Sequence, residues 1–332
     1  MVTSRDSSAL QDLLEEYFHE VQLIGKIGRS LFEKIRKQLV FDYRLFKVCR
    51  IFKPEIGLGT SIPLSHVSAI NKIQSIIMNE DDAREVPFFS KGAYTFADCI
   101  ITPDALKGDN FGKKHIKYPG YHELAYLHPQ RFNPDPERLR PQIEPGEPFF
   151  LLRFSALAAH HDVGKTGITR DLAREIIRRL ESHGRVFISS ERDLEDEFTH
   201  YSFPFHPREM HHALAYAQMV VADSQTMTAE AAVLGTPALR FNDFVGRLSY
   251  LEELEHCYGL IRGIPTSEPS RLLDTISEWL GKKDQKKEWQ MKQEKMLKEK
   301  IDVTAFFVWF IENYPNSLDQ LNSGNFQWEA FY

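Results

Sequence analysis

Residues 219–237 read Met219-Val-Val-Ala-Asp-Ser-Gln-Thr-Met-Thr-Ala-Glu-Ala-Ala-Val-Leu-Gly-Thr-Pro237. The unbroken apolar run from Met219 to Ala222 predicts a short buried strand. Asp223 and Ser224 interrupt it, and small residues from about Thr226 to Leu234 predict a helix that Gly235-Thr-Pro237 stops. A strand running straight into a helix sets unpaired amides, and the positive end of the helix dipole, at the carboxyl edge of a sheet. A diphosphate is well served there. Ser224 and Thr226, with Gln225 between them, add side-chain donors. Glu230 lies one turn further in, where a carboxylate suits ribose hydroxyls. The local alternative for the same residues is that Asp223 or Ser224 only caps the helix and Glu230 is solvated.

The surrounding sequence has the rhythm that such a turn requires. Phe149 to Phe154 is strand-like, Thr169 can cap a helix running to His183 with Gly184 as its stop, and Val186 to Ser189 is the next strand. Pro207 opens another helix, and Ala238 to Phe241 is a strand. The first half alternates in the same way. Val21 to Ile24 is strand-like, and Leu31, Ile35, Leu39, Tyr43 and Phe46 lie at helical spacing within Arg29 to Phe52. Ile73 to Met78 and Asp98 to Thr102 are further strands. Alternation of this kind predicts parallel sheets covered by helices. Between the halves, prolines 129, 134, 136, 141, 145 and 148 sit among charged residues. Proline gives no amide donor and fixes φ, so this stretch reads as a connection. The expected domains are therefore a first lobe over 1–128, a proline-rich connection over 129–148, a second lobe over 149–282, and C-terminal helices over 283–332 packing across both lobes. The first lobe opens at what reads as its second strand, so an N-terminal strand–loop–helix is expected to be missing.

The 332 residues suit two domains, and 42% hydrophobic with 27% charged residues suits ordinary cores. A net charge of −6 argues against nucleic acid as partner. The lysines from Lys282 to Lys300 alternate with acids and read as a solvated helix face. Cys49, Cys99 and Cys257 are far apart, which suggests reduced thiols and no structural zinc. No apolar run approaches the roughly 20 residues needed to span a bilayer, and no targeting signal is evident. The expected location is the cytoplasm, with peripheral membrane contact left open.

The 223–230 segment resembles the Asp-Ser-Gly-Gly-x-Gln-Glu-Glu signature of the non-hydrolysing UDP-N-acetylglucosamine 2-epimerases, which have the B-type glycosyltransferase fold. The resemblance implies that Ser224 and its neighbours face the diphosphate and Glu230 the ribose. Gln225 and Thr226 stand where the signature has glycines, Thr228 where it has Gln, and Ala229 where it has its first Glu. Nearly the whole chain is similar to a microbial family of unknown function whose members are described as predicted glycosyltransferases. The landmarks are Phe111-Gly-Lys-Lys, Tyr118-Pro-Gly-Tyr-His-Glu-Leu-Ala-Tyr-Leu-His-Pro129, Ala159-His-His-Asp162, Phe187-Ile-Ser-Ser-Glu191, Asp223-Ser-Gln-Thr and Asp302-Val-Thr-Ala-Phe. This resemblance implies two Rossmann-like lobes, the first N-terminally abbreviated.

Other candidates cluster at predicted strand ends. At and beyond the end of the Phe149–Phe154 strand, Arg153 or Lys165 could neutralise a diphosphate, and His160 or His161 could donate to it; a polar loop is the alternative. Gly164-Lys-Thr166 with Met219–Asp223 imitates a P-loop NTPase. Two histidines stand where amides should cradle phosphate, however, and the helix starts too late. His160, His161, Asp162, His206, His211 and His212 could suggest a metal site, but HExxH is absent and adjacent histidines rarely ligate one ion together. After Met78, Glu80 and Asp82 could act as general base or hold sugar hydroxyls, or Asp82 could cap the next helix. Gly57-Leu-Gly-Thr-Ser61 reads as a strand-end turn, with His66 on a following helix.

These residues together predict a metal-independent, nucleotide-sugar-dependent glycosyltransferase without a cofactor. Its nucleotide-sugar donor would meet Arg153, His160, Asp223, Ser224, Gln225, Thr226 and Glu230, and its catalytic groups would come from Glu80, Asp82 and His161. The acceptor and oligomeric state are not legible. The alternatives are a nucleotide-sugar 2-epimerase and a non-catalytic nucleotide-sugar-binding protein.

Overall fold

A computed structural model describes residues 1–4, 14, 18, 21–23, 31–155 and 167–332. Its contacts divide the chain into two compact units. The first holds Met1–Thr102, Gly108–Tyr118 and Leu318–Gly324; the second holds Pro103–Lys107, Pro119–Ser317 and Asn325–Tyr332. The proline-rich stretch thus belongs to the second unit.

In the first unit, β1 (Val2–Ser4) and β2 (Val21–Leu23) form a parallel pair. A separate four-stranded sheet has the order β3-β4-β5-β6, with β3 at Ile56–Gly59, β4 at Gln74–Met78, β5 at Cys99–Pro103 and β6 at His115–Tyr118. Strands β4 and β5 are the apolar runs predicted above, buried along almost their whole length as parallel interior strands must be. Helices α1 (Leu31–Phe52), α2 (Ile62–Asn71) and α3 (Pro87–Tyr94) supply the cover. Leu45, Cys49, Ile62, Leu64, Ile77 and Ile100 form part of one core. Ser61 caps α2 by accepting from the Leu64 amide at 3.3 Å.

Two expectations for this unit are corrected. Gly57-Leu-Gly59 is strand, not turn: a Cβ on Gly57 would lie 2.4 Å from Leu64 Cδ1, so the glycine lets α2 pack directly on the sheet. Asp82 does not cap α3. That helix starts beyond Val86 without a side-chain cap, and the Asp82 carbonyl accepts from the Glu85 amide in a preceding turn.

The second unit carries a five-stranded sheet of order β11-β10-β9-β7-β8, parallel throughout. Its strands are β7 (Phe149–Phe154), β8 (Arg185–Ser190), β9 (Met219–Ala222), β10 (Ala238–Phe241) and β11 (Ile261–Ile264). Counted within the unit, that order is 2-1-3-4-5, a doubly wound sheet whose strand order reverses between β7 and β9. Helix α4 (Leu124–Leu127) precedes the sheet, the crossovers are α5 (Arg170–Leu180), α6 (Met210–Tyr216), α7 (Gln225–Val233) and α8 (Ser249–His256), and α9 (Pro269–Leu280) follows the last strand. Thr169 caps α5 as predicted, although the helix ends at Leu180 instead of reaching His183. Helix α10 (Gln285–Glu299) is not solvated all round. Its Trp289 is buried, donates to the Leu260 carbonyl at 2.6 Å and stacks edge-on against Trp279. Helix α11 (Val303–Glu312) buries Phe306 and Phe310 within the second unit.

Candidate functional site

Open α/β sheets bind ligands outside the carboxyl ends of their strands where the strand order reverses. In the second unit that point lies between the carboxyl ends of β7 and β9, and the turn after β9 is Asp223-Ser224.

Asp223 is almost fully buried. Its carboxylate accepts from the Ser155 amide at 2.6 Å and from the Ile168 amide at 3.2 Å. It therefore ties Ser155 to Ile168; His160, His161 and Lys165, which fall between them in sequence, lie outside the described residues. Asn242 donates to the Asp223 carbonyl at 3.2 Å, fastening the next strand end to the same turn. Burial pushes the Asp223 carboxyl up, against the pull of the Ser155 and Ile168 amides and the charge of Arg192. A Cβ on Gly167 would come within 2.3 Å of the Asp223 carboxylate, so only glycine fits where the loop returns.

Ser224 is the N-cap of α7. Its hydroxyl oxygen accepts from the Met227 amide at 3.3 Å, which leaves its proton to donate. Thr228 donates to the Ser224 carbonyl at 2.6 Å. Gln225 and Thr226 occupy the first turn, where amides have no acceptor within the helix, and Thr226 is exposed. The cap and the anion-facing reading of Ser224 are therefore compatible.

Glu230 is neither solvated nor unattended. Its side chain is only 12% exposed, and its Oε1 accepts from the Tyr126 hydroxyl and from His211 Nε2, each at 3.0 Å. Arg153 is also engaged: its guanidinium donates to Ser189 Oγ at 2.6 Å and pairs with Glu191. Arg192 donates to the Ile168 carbonyl at 2.6 Å and lies over the Phe154 ring. Ser224, Gln225, Thr226 and Glu230 thus share one helix, while Arg153 and Asp223 brace the strand ends beneath it.

Glu80 and Asp82 belong to the first unit, beyond the end of β4. Asp82 is buried close to Asp109, whose carboxylate accepts from the Ala83 amide at 2.9 Å. Burial raises the Asp109 carboxyl; the Ala83 amide opposes this and the Asp82 charge adds to it. Among the described residues, no group of three or more His, Cys, Asp or Glu is arranged to hold a metal ion, and no helix is long and apolar enough to cross a membrane.

Sequence reasoning missed Tyr126, Arg192 and Asn242, and weighed His211 only as a metal ligand. Tyr126 stands in the Tyr118–Pro129 landmark, which was its only signal.

The fold is that of the B-type glycosyltransferases and the UDP-N-acetylglucosamine 2-epimerases. The chain is similar to Staphylococcus aureus MnaA in its structure with UDP, at 12% identity over 96% of this chain and 89% of the other, with a TM-score of 0.62. It is similar to UDP-N-acetylglucosamine 2-epimerase from Rickettsia bellii at 16% identity, over 95% and 91% of the two chains, with a TM-score of 0.54. It is also similar to CalG4, the calicheamicin glycosyltransferase, at 11% identity over 94% and 91%, with a TM-score of 0.57. Residues 1–242 match the family described as protein of unknown function (DUF354), and the chain belongs to that family. No curated protein sequence matches it.

Proposed function

We propose that this protein binds a nucleoside diphosphate sugar at the carboxyl edge of the second unit's sheet and transfers the sugar to a hydroxyl acceptor without a metal ion. The observation that carries this reading is the Asp223-Ser224 turn at the strand-order reversal, with α7 starting immediately behind it. The amides of Gln225 and Thr226, the hydroxyls of Ser224 and Thr226 and the helix dipole would stabilise the diphosphate, and Glu230 would receive a ribose hydroxyl. Asp223 serves this site by shaping it, since a carboxylate against a diphosphate would repel. In the transfer, the acceptor oxygen bonds to the anomeric carbon as the bond to the diphosphate breaks. The acceptor proton passes to a base, for which Glu80, Asp82 and His161 are the candidates. The presence of UDP in the MnaA structure supports a nucleotide at this fold's site.

Epimerisation at the sugar's C2 is the second reading. The neighbouring Asp82 and half-buried Asp109 favour it, because a carboxyl raised by partial burial and a nearby negative charge can hold the proton that such a reaction moves.

The test is thermal unfolding with UDP, GDP, CDP and dTDP and their sugars, each with and without EDTA. Ligand at a hundredfold its Kd is expected to stabilise by about 2.7 kcal/mol. Unchanged melting with every compound would overturn the binding reading, and loss of the effect in EDTA would overturn metal independence. Incubation of the stabilising nucleotide sugar with and without acceptor alcohols then separates the reactions. A new glycoside marks transfer, a C2-inverted sugar marks epimerisation, and an unchanged sugar marks a non-catalytic binder.

A further inference from the structure

Three elements converge on one oxygen of Glu230. Tyr126 comes from α4, His211 from α6 and Glu230 from α7, and both donors reach Oε1 at 3.0 Å. Among the described residues no donor reaches Oε2. Two bonds fill the usual acceptor capacity of a carboxylate oxygen, so the first oxygen is occupied and only the second is left for a ligand.

The donors are themselves held. The His211 ring lies 5.4 Å from Tyr126 and 6.0 Å from Phe132, centroid to centroid, the latter edge-on. Phe132 also packs against His212 at 4.8 Å, and His212 accepts the Asp135 amide on Nδ1 at 3.0 Å. That bond makes His212 Nδ1 an acceptor, and burial lowers its pKa, so the ring stands as a neutral buttress. The chain Asp135–His212–Phe132–His211 fixes the angle at which His211 Nε2 meets Glu230.

We propose that Tyr126 and His211 are positioning residues for nucleotide recognition. By clamping Oε1 they aim Oε2, so this site reads a single ribose hydroxyl rather than the 2′,3′-diol as a bidentate pair. The inference rests on the nucleotide-binding reading above and deepens it: the ligand is a ribonucleotide, and residues 119–129 take part in choosing it.

The experiment is calorimetric titration with UDP, GDP, CDP and ADP and with their 2′-deoxy and 3′-deoxy counterparts. The parent protein is expected to bind one ribonucleotide best and to lose about tenfold in affinity with only one of its two deoxy forms. Tyr126→Phe should weaken the ribonucleotide about threefold to tenfold and leave that deoxy form unaffected. His211→Ala should behave likewise, and His211→Gln, which keeps an N–H donor, should restore the preference. In a Glu230→Gln background Tyr126→Phe should change nothing further, because the oxygen it aims is no longer a carboxylate.

Equal losses for ribo and deoxy forms in Tyr126→Phe would show a merely structural tie between helices and overturn the proposal. So would equal sensitivity of the parent to loss of either hydroxyl, which is the mark of bidentate reading. If the parent binds no nucleoside diphosphate, the functional reading fails and this inference fails with it. If it binds ribo and deoxy forms alike, only this inference fails.

Discussion

Among the described residues, the second unit carries one continuous sheet, whereas the first leaves more apolar side chains exposed. In the second, β9 is fully buried and flanked on both edges, and Asp223 at its end accepts from two amides. In the first, the strands fall into two sheets instead of one. A cavity of about 590 Å³ lies against both, lined by Val2 and Thr3 of β1, Leu45 and Cys49 of α1, and Ile56 and Gly57 of β3. The surfaces differ in the same sense. Leu39, Tyr43, Ile51, Ile70 and Phe96 of the first unit are exposed, whereas Met291, Val308 and Tyr332 are the only large exposed hydrophobics among the described residues of the second. Burial of apolar area is the main stabilising term, so matched deletions should separate the two units.

The largest effect is expected from deleting the same side chain in each. Leu151 on β7 is packed on all sides, and Leu151→Ala should cost about 3–5 kcal/mol. Leu45 is equally buried but borders the cavity, so it has fewer contacts to lose, and Leu45→Ala should cost about 2–3 kcal/mol. Urea unfolding followed by far-UV circular dichroism gives both values. Equal costs would show that the cavity wall is as tightly packed as the sheet of the second unit.

What could be read from sequence divides along the same line. Strands β7, β9 and β10 were legible because continuous apolar runs can only be interior strands of a parallel sheet. Strand β3 was not, because its two glycines carry the composition of a turn, and only the approach of Leu64 explains Gly57. Strand β6, His115-Ile-Lys-Tyr118, buries alternate residues and hides its pattern behind a histidine and a lysine. The turn at Asp223 was legible as a place but not as a set of partners. Tyr126 reaches Glu230 from 104 positions away, and no local rule carries that distance.

A smaller effect is expected on acidification. His115 in β6 meets Thr102 Oγ1 at 2.9 Å, and burial, helped by the Lys117 charge, lowers its pKa to about 4. Its folded pKa lies below the ordinary value near 6.5, so between these limits the unfolded chain binds a proton that the folded one refuses. The contribution is complete above pH 6.5 and is lost as pH falls to 4, by about 3 kcal/mol. His115→Gln, which keeps a polar partner for Thr102 and does not titrate, should flatten that loss. The four tryptophans, Trp279, Trp289, Trp309 and Trp328, all belong to the second unit. Their fluorescence therefore reports that unit alone, and burial lowers its own His122, His128 and His212 in the same direction. The variant should shift the acid transition seen by circular dichroism and leave the fluorescence transition in place. A fluorescence shift of equal size would mean that the two units unfold as one.

The smallest effect on stability, and the sharpest test of the first unit's exposed apolar side chains, lies on α1. Leu39, Tyr43 and Ile51 fall on one stripe at four-residue steps with Lys47, whose ammonium sits 4.6 Å over the Tyr43 ring. Leu39 is 66% exposed and Ile51 is 83% exposed, so neither has much buried area to lose. Leu39→Glu and Ile51→Lys should each change unfolding free energy by less than about 0.5 kcal/mol. Exposed apolar side chains on one helix face nevertheless attract other apolar surface, and their removal should lower the concentration-dependent light scattering of the protein. The charges are of opposite sign so that a change in net charge cannot mimic the result: both variants must reduce scattering although one adds a negative and the other a positive charge. If either variant loses more than about 1 kcal/mol, the stripe is covered within the folded chain.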